Sequence, residues 1–416
     1  MPDGLTDISA FEQLESNVRY YCRRWPAVFV AGRGAHVVAE TGQRYLDFFS
    51  GAGALSYGHN PGFLVEAVIE HLRAGRLVHS LDTHTPEKAG FLRTLERCVL
   101  EPRQLDMVVQ FVGPTGATAV EAALRLAERV SGRRAVVAFE GGFHGMTAGA
   151  ARVSHSLPAR DHTGCRFLPY RAEPDHEDLV LVARALATPI DGELPGAMIV
   201  EPVQGEGGAR PFDRRYLGEL RRLCTEHGVV LIADEIQAGV GRTGPFFSFE
   251  GSQLDPDIIC LSKSLSGLGL PFALNLIRRS LDRWSPGEFT GTFRGSNLAF
   301  VSAAALLEHY WSQPDGALET ARHGELVEEA LTQLAGTSRV PFSITGRGLL
   351  WGLTFDDERA ATAVVSAAFR SGLIVEACGE RDRTVKLLPP LVIRHDELVE
   401  GLEILSRAVL GLSEAD

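Results

Sequence analysis

From residue 107 onward the chain alternates short, largely apolar runs with longer amphipathic stretches. The apolar runs occupy residues 107–112, 134–139, 197–201, 229–234, 258–261 and 272–277. A run apolar at nearly every position leaves no solvent face, so each predicts a strand covered on both sides. Between them, Val120, Ala123, Leu124, Ala127 and Val130 recur at helical spacing. Tyr216, Leu217, Leu220, Leu223 and Cys224 form a second stripe, closed by His227-Gly228 as a helix stop. This alternation predicts a mainly parallel sheet with helices on both faces and ligands beyond the carboxyl ends of its strands.

Outside this core the pattern changes. The spacing predicts a first helix around Ala10 to Arg24, then two short strands within residues 35–48 joined by a Thr41-Gly42 turn. A helix from about Leu298 to Trp311 leads into a turn at Pro314, and strand signals return at 346–353, 373–376 and 384–387. A smaller α+β unit in the C-terminal third, joined by the N-terminal segment, is expected. The division is residues 1–70 as the N-terminal contribution to that unit, 71–310 as the large domain and 311–416 as its C-terminal part. No internal repeat interrupts this order.

At 416 residues the chain exceeds the usual single-core limit and can bury a cofactor. With 45% hydrophobic and 23% charged residues, it has the composition of a soluble enzyme. A net charge of −12 without a basic cluster argues against a nucleic-acid partner; Arg214-Arg215 and Arg221-Arg222 fit the solvated face of one helix. The six cysteines lack metal or disulfide spacing and are expected to be reduced, buried thiols, and no metal site is expected among the thirteen histidines. The acidic N-terminus lacks a signal-peptide core and no run reaches membrane-spanning length, so a cytoplasmic protein without a membrane partner is expected.

Two strand ends carry the chemistry. The run ending in Leu261-Ser262-Lys263-Ser264 delivers one lysine, and Val229 to Ala233 delivers Asp234-Glu235. A lysine condenses with an aldehyde when it is held in place and sheds its proton. A nearby aspartate keeps a pyridine nitrogen protonated, and pyridoxal 5′-phosphate (PLP) needs that pair. Gly113-Pro114-Thr115-Gly116-Ala117-Thr118, between a strand and a helix, would expose backbone N–H groups to a phosphate at a helix N-terminus. Taken alone it reads equally as an ordinary glycine turn capped by Thr118; the order of phosphate turn, Asp strand and Lys strand decides for the cofactor. Gly51-Ala52-Gly53 lacks the third glycine of a dinucleotide fingerprint. Gly205-Glu206-Gly207-Gly208, after Glu201-Pro202, is expected to be a flexible loop bringing an acid to a substrate gate.

These stretches, with Phe143-His144-Gly145, residues 201–206, residues 234–244 and residues 262–264, resemble the class III (ω-amino-acid) aminotransferases over nearly the whole chain. Residues 48–60, His79-Ser80-Leu81-Asp82, Met146-Thr147, Gly269-Leu270-Pro271 and residues 291–300 are similar to the ectoine-pathway branch of that family. The resemblance implies an α/β fold of PLP-dependent fold type I, a mainly parallel seven-stranded sheet with helices on both faces plus a smaller α+β domain. It implies Lys263 as the Schiff-base lysine, Asp234 on the pyridine nitrogen, Gln237 on the phenolic oxygen, Gly116 and Ala117 on the phosphate and Phe143 stacked on the ring. Thr292 would reach the phosphate of the neighbouring subunit's cofactor, which makes a homodimer with shared sites the working unit. Substrate contact would fall to Glu206 and to Lys386, which stands where many members carry an arginine; the ectoine-pathway branch shares this lysine. Met146 stands where ornithine-type members carry an arginine, and Ser296 where the branch has an asparagine.

The implied reaction moves an amino group between glutamate/2-oxoglutarate and an ω-aldehyde or ω-amine, in this branch L-aspartate 4-semialdehyde to L-2,4-diaminobutyrate. A different ω-amino acid or diamine with the same machinery, or an aminomutase or decarboxylase, uses the same cofactor motifs. A PLP-binding regulator would call for an appended DNA-binding segment, for which the chain has no room before its first hairpin.

Overall fold

The computed structural model describes residue 6 and residues 8–157, 162–313 and 316–412; the turn expected at Pro314 lies outside the described residues. Its centre is a seven-stranded sheet in the spatial order Met107–Gly113, Ala273–Arg278, Ile258–Leu261, Val230–Asp234, Ala197–Val200, Val136–Phe139, Cys165–Leu168. All neighbours are parallel except Ala273–Arg278, which runs antiparallel to both strands it joins.

The apolar runs are explained by what lies on each side. Val230, Ile232, Ile258 and Cys260 face a core shared with Ala119, Val120, Ala123 and Ala127 of the helix Gly116–Ser131. Their chain neighbours Leu231, Ala233, Ile259 and Leu261 face the opposite core, with Leu217, Leu220 and Leu223 of the helix Arg214–His227. Because side chains alternate across a strand, each run feeds two cores at once. Full burial of a leucine or isoleucine contributes about 1.5–3 kcal/mol, so no position of these strands tolerates a charge cheaply until the strand ends.

Two four-stranded sheets flank this body. One has the order Phe342–Arg347, Leu350–Phe355, Thr384–Leu387, Glu376–Cys378 and is antiparallel throughout. The other has the order Phe29–Arg33, His36–Ala39, Arg44–Asp47, Leu373–Ile374, its last pair parallel. The N-terminal and C-terminal parts of the chain are therefore joined by backbone hydrogen bonds, with Leu46 opposite Leu373.

Several local expectations are corrected. The first helix is broken into Ser9–Leu14 and Tyr21–Arg24. Ser16 Oγ accepts from the Val18 amide, a local bond that competes with helix, and Leu14 and Val18 stay exposed rather than forming a buried stripe. The strand Phe29–Arg33 was not foreseen, because its outward face is largely exposed and only mildly patterned. The helix Gly116–Ser131 is capped by Thr115, whose side chain accepts from Thr118 N, so Thr118 is not the cap. Residues 205–208 lie in the loop of a short hairpin between Val203–Gln204 and Arg210–Pro211. Of the cysteines, Cys98, Cys224, Cys260 and Cys378 are buried, while Cys165 is half-buried and Cys22 exposed. No helix among the described residues is long and apolar enough to cross a membrane.

Candidate active site

A cavity of about 120 Å³ opens at the carboxyl end of the large sheet, lined by Gly116, Ala117, Phe143, Glu206, Asp234, Gln237 and Lys263 among others. The sheet register brings this about. Asp234, the last residue of its strand, lies beside Cys260, and Lys263 follows three residues later on the neighbouring strand's exit. Lys263 opens a short 3-10 turn in the left-handed region, at φ +46°, which costs a non-glycine residue energy and persists only where the surroundings fix it. The flanking serines do the fixing. Ser262 Oγ donates to the Phe272 carbonyl at 2.8 Å, and Ser264 Oγ donates to the Gly53 carbonyl at 2.8 Å and lies 2.5 Å from Ser56 Oγ.

Burial pushes the Lys263 ammonium below the usual lysine range, with Lys386 adding repulsion and Glu206 partly opposing. The residue is thus prepared to act as a neutral amine. Asp234 is buried; its Oδ1 accepts from Ile236 N at 3.0 Å and its Oδ2 lies 2.7 Å from His144 Nδ1. Burial disfavours a charged His144, yet the hydrogen bond and charge of Asp234 outweigh it and raise the imidazole above its ordinary value. Behind them Glu201 accepts from the amides of Phe143 (2.9 Å) and Gly205 (3.1 Å), tying the aromatic segment to the hairpin, and burial pushes its carboxyl up to about 7.

A second cluster stands at the cavity's other side. Lys386 is wholly buried, and its Nζ donates to Glu206 Oε1 at 2.5 Å and to Gln237 Oε1 at 3.2 Å; Glu376 Oε1 is 3.0 Å away. Gln237 Nε2 donates to Glu206 Oε1 (3.1 Å) and to the Ala52 carbonyl (3.3 Å). Although burial works against its charge, the ammoniums of Lys386 and Lys263 hold Glu206 down at about 2. Gly205 permits the approach, since a Cβ there would lie 1.9 Å from Gln237 Oε1.

The structure therefore brings together Gly116, Ala117, Phe143, Asp234, Gln237, Lys263, Glu206 and Lys386. Thr292 is not among them: it sits on an exposed turn, its carbonyl accepting from His79 Nε2 at 2.7 Å. Sequence reasoning assigned no role to His144, Glu201, Glu376 or the Gly51-Ala52-Gly53 turn, all of which border this region. Glu376 directly follows the apolar run Leu373-Ile374-Val375, but nothing local in the sequence pairs it with Lys386. The positive-φ turn at residues 50–53 carried no signal, because its distance from Lys263 in the chain hides the contact.

Among known proteins the family described as aminotransferase class III matches residues 21–409. A diaminobutyrate–2-oxoglutarate transaminase of Nocardia farcinica is 48% identical over 97% of this chain and 94% of its own length. One of the same description from Streptomyces anulatus is 45% identical over 97% of both. An ornithine aminotransferase structure from Toxoplasma gondii, described with partial occupancy of PLP at its active site, superposes with a TM-score of 0.85 at 26% identity, covering 98% of this chain and 94% of that one. Fold and site define a PLP-dependent transferase built on a mainly parallel sheet. The chain belongs to the class III aminotransferases, and PLP is its cofactor.

The residues present fit that cofactor. The amides of Gly116 and Ala117 begin a 16-residue helix and have no intrahelical acceptor, which makes a phosphate cradle. A side chain at Gly116 would meet Ile236 at 2.9 Å, so the cradle is kept bare. The cavity between it and Asp234 presents an aromatic residue, a carboxylate and an amine.

Proposed function

We propose that this aminotransferase exchanges an amino group between glutamate/2-oxoglutarate and the terminal carbon of L-aspartate 4-semialdehyde, forming L-2,4-diaminobutyrate. The observation that carries the reading is near-full-length similarity to relatives of that description, including one at 48% identity. The Lys386–Glu206 pair gives it a chemical basis, because the carbon that exchanges nitrogen bears a carboxylate in glutamate and none in the other substrate, which reacts at its terminal carbon.

In the working enzyme PLP supplies an aldehyde to hold the substrate's nitrogen and an electron-withdrawing ring to weaken the bonds at the carbon bearing it. Gly116 and Ala117 would hold its phosphate, Phe143 would pack on its ring, Gln237 would bond its phenolic oxygen and Asp234 would keep its pyridine nitrogen protonated. His144, bonded to Asp234, orients that carboxylate. Lys263 would hold the aldehyde, and its Nζ would serve as the base that takes a proton from the substrate carbon, a task that suits an amine whose proton affinity is lowered by burial.

Glu206 and Lys386 form the gate. With a carboxylate-bearing donor, the substrate's anion takes Glu206's place on the Lys386 ammonium. With the other substrate, Glu206 returns. Lysine offers one point charge rather than a guanidinium fork, so the anion is held by charge more than by angle.

The exposed turn bearing Thr292, beside the exposed Phe293, Leu81 and Leu77, supports a homodimer in which Thr292 reaches the neighbouring phosphate. A cytoplasmic location is part of the same reading. The test is a coupled assay on PLP-loaded protein with 2-oxoglutarate and, in parallel, 2,4-diaminobutyrate, ornithine, lysine and 4-aminobutyrate. Glutamate formed mainly from diaminobutyrate is the expected result. Glutamate formed only from another amine removes the assignment and keeps the family.

A further inference from the structure

Gln237 stands between the gate and the cofactor cradle, and its amide has a fixed supply of hydrogen bonds to give. Its Oε1 accepts from the Lys386 ammonium at 3.2 Å, a contact that settles which end of the amide is which, because only the oxygen can accept. The nitrogen is thereby turned toward Glu206, and it carries two N–H groups. One meets Glu206 Oε1 at 3.1 Å and the other the Ala52 carbonyl at 3.3 Å, so both are taken while Glu206 is on Lys386. Against the cost of burial, the Lys386 and Lys263 ammoniums keep Glu206 ionised, and a bond to a full negative charge is the stronger of the two.

Glu206 holds both neighbours with one atom. Its Oε1 accepts from Lys386 at 2.5 Å and from Gln237, so a carboxylate that turns away from the ammonium leaves the amide as well. The surrounding backbone does not follow: the Gly205 amide is held by Glu201, and the Glu206 carbonyl accepts from Gly379 N at 2.8 Å. Gln237 also stays, buried, with its oxygen on Lys386 and Gly205 close against that oxygen. The Ala52 carbonyl belongs to a turn whose residues 50–53 all lie in the left-handed region, and the next carbonyl, Gly53, is bonded by Ser56 and Ser264. What changes when Glu206 swings is therefore one N–H, freed in a cavity that Gln237 lines together with Lys263 and Asp234.

Resting on the gate and on the reading that gives Gln237 the cofactor's phenolic oxygen, we propose that Gln237 couples the two: its N–H is held by Glu206 while the gate is closed and passes to the phenolic oxygen when a substrate carboxylate displaces Glu206 from Lys386. A carboxylate-bearing donor thus brings a hydrogen bond onto the ring that the other substrate, which leaves Glu206 in place, does not. The cofactor's ring is then tuned differently in the two halves of the cycle, by the substrate that each half binds. An amide oriented by one ammonium and sharing one oxygen of the gate does this without moving the backbone.

The test is a pH titration of the absorbance of the lysine-bound cofactor in PLP-loaded protein. A donor on the phenolic oxygen stabilises the negative charge there most when the nitrogen joining Lys263 to the cofactor has lost its proton, so the bond lowers the midpoint. Gln237→Leu removes the donor and Glu206→Ala opens the gate. Parent, both single variants and the double variant form a cycle in which the charge effect of Glu206 cancels. In the Glu206→Ala background, Gln237→Leu should raise the midpoint by about one pH unit, a tenfold gain in proton affinity, and in the parent background by less than about 0.3. Equal rises in both overturn the coupling and leave Gln237 on the ring oxygen whatever the gate does; no rise in either removes that reading as well. Should Gln237→Leu not take up cofactor, two gate variants decide alone. Glu206→Gln loses the same charge as Glu206→Ala but keeps an oxygen for the Gln237 N–H, so the midpoint of Glu206→Ala should lie about one pH unit below that of Glu206→Gln, and equal midpoints overturn the inference.

Discussion

The cofactor cradle and the substrate gate lie on opposite sides of one cavity and are held by different physics. The cradle is made by backbone: a helix start, a strand end and a strained turn, each fixed by its own sheet register and by serine hydrogen bonds. The gate is made by charge. Lys386, Glu206, Glu376 and Gln237 come from separate stretches and hold one another, with Lys386 and Glu376 buried and Glu206 partly exposed. In the proposed cycle the first holds one geometry throughout while the second holds at least two. Hydrogen-bonded backbone has one good arrangement, whereas a buried ammonium with more anions than it needs can exchange partners at little net loss.

Substitutions should expose that difference, and the largest effect belongs to the cradle. Lys263→Ala should lower turnover by roughly ten-thousand-fold or more, with the fold intact by circular dichroism and the lysine-bound cofactor absorbance gone. Normal turnover would sink the mechanism. Asp234→Asn should keep the cofactor but lose activity by roughly a hundred- to a thousand-fold, since an amide cannot hold the pyridinium proton. At the gate, Lys386→Met should raise the KM for glutamate about tenfold or more and change kcat less, because it removes binding rather than chemistry; an equal fall in kcat and kcat/KM would place Lys386 with the cradle.

The smallest effect concerns Glu235, buried beneath the cradle and accepting from Ser248 N, Ser248 Oγ and Phe249 N. Burial raises its carboxyl from an ordinary 4.5 to about 7. A raised value means the folded protein holds the proton more tightly than the unfolded chain. Its stabilising share is complete below about pH 4.5 and is lost as pH rises through about 7, a swing of roughly 3 kcal/mol at most. Glu235→Gln should therefore compare more favourably with the parent in thermal melts at about pH 8 than at about pH 5; the opposite trend would show a carboxylate satisfied in its charged form.

This division also explains what was legible in the sequence. Lys263, Asp234 and the Gly116 turn announce themselves because each ends an apolar run or begins a helical stripe, and those patterns are local. The antiparallel setting of Ala273–Arg278 was not legible, because a strand buried on both faces looks the same in either direction. Glu376 was hidden for another reason. Its neighbour across the strands, Lys386, is fixed by pairing register, and register cannot be read from one strand alone. The break in the first helix escaped because helical spacing was present without anything to bury it against.

The pairing of Leu46 with Leu373 has a consequence for how such a chain is made. On a ribosome, the strand Arg44–Asp47 emerges early, yet its outer edge finds its partner only after most of the chain has been synthesised. An open strand edge is a template for unwanted association. The cradle's lysine has emerged long before then, whereas Glu376 and Lys386 follow Leu373 by three and thirteen residues. The same late stretch thus covers the exposed edge and completes the gate, so a chain cut short before it is expected to lack the gate and to be prone to aggregate.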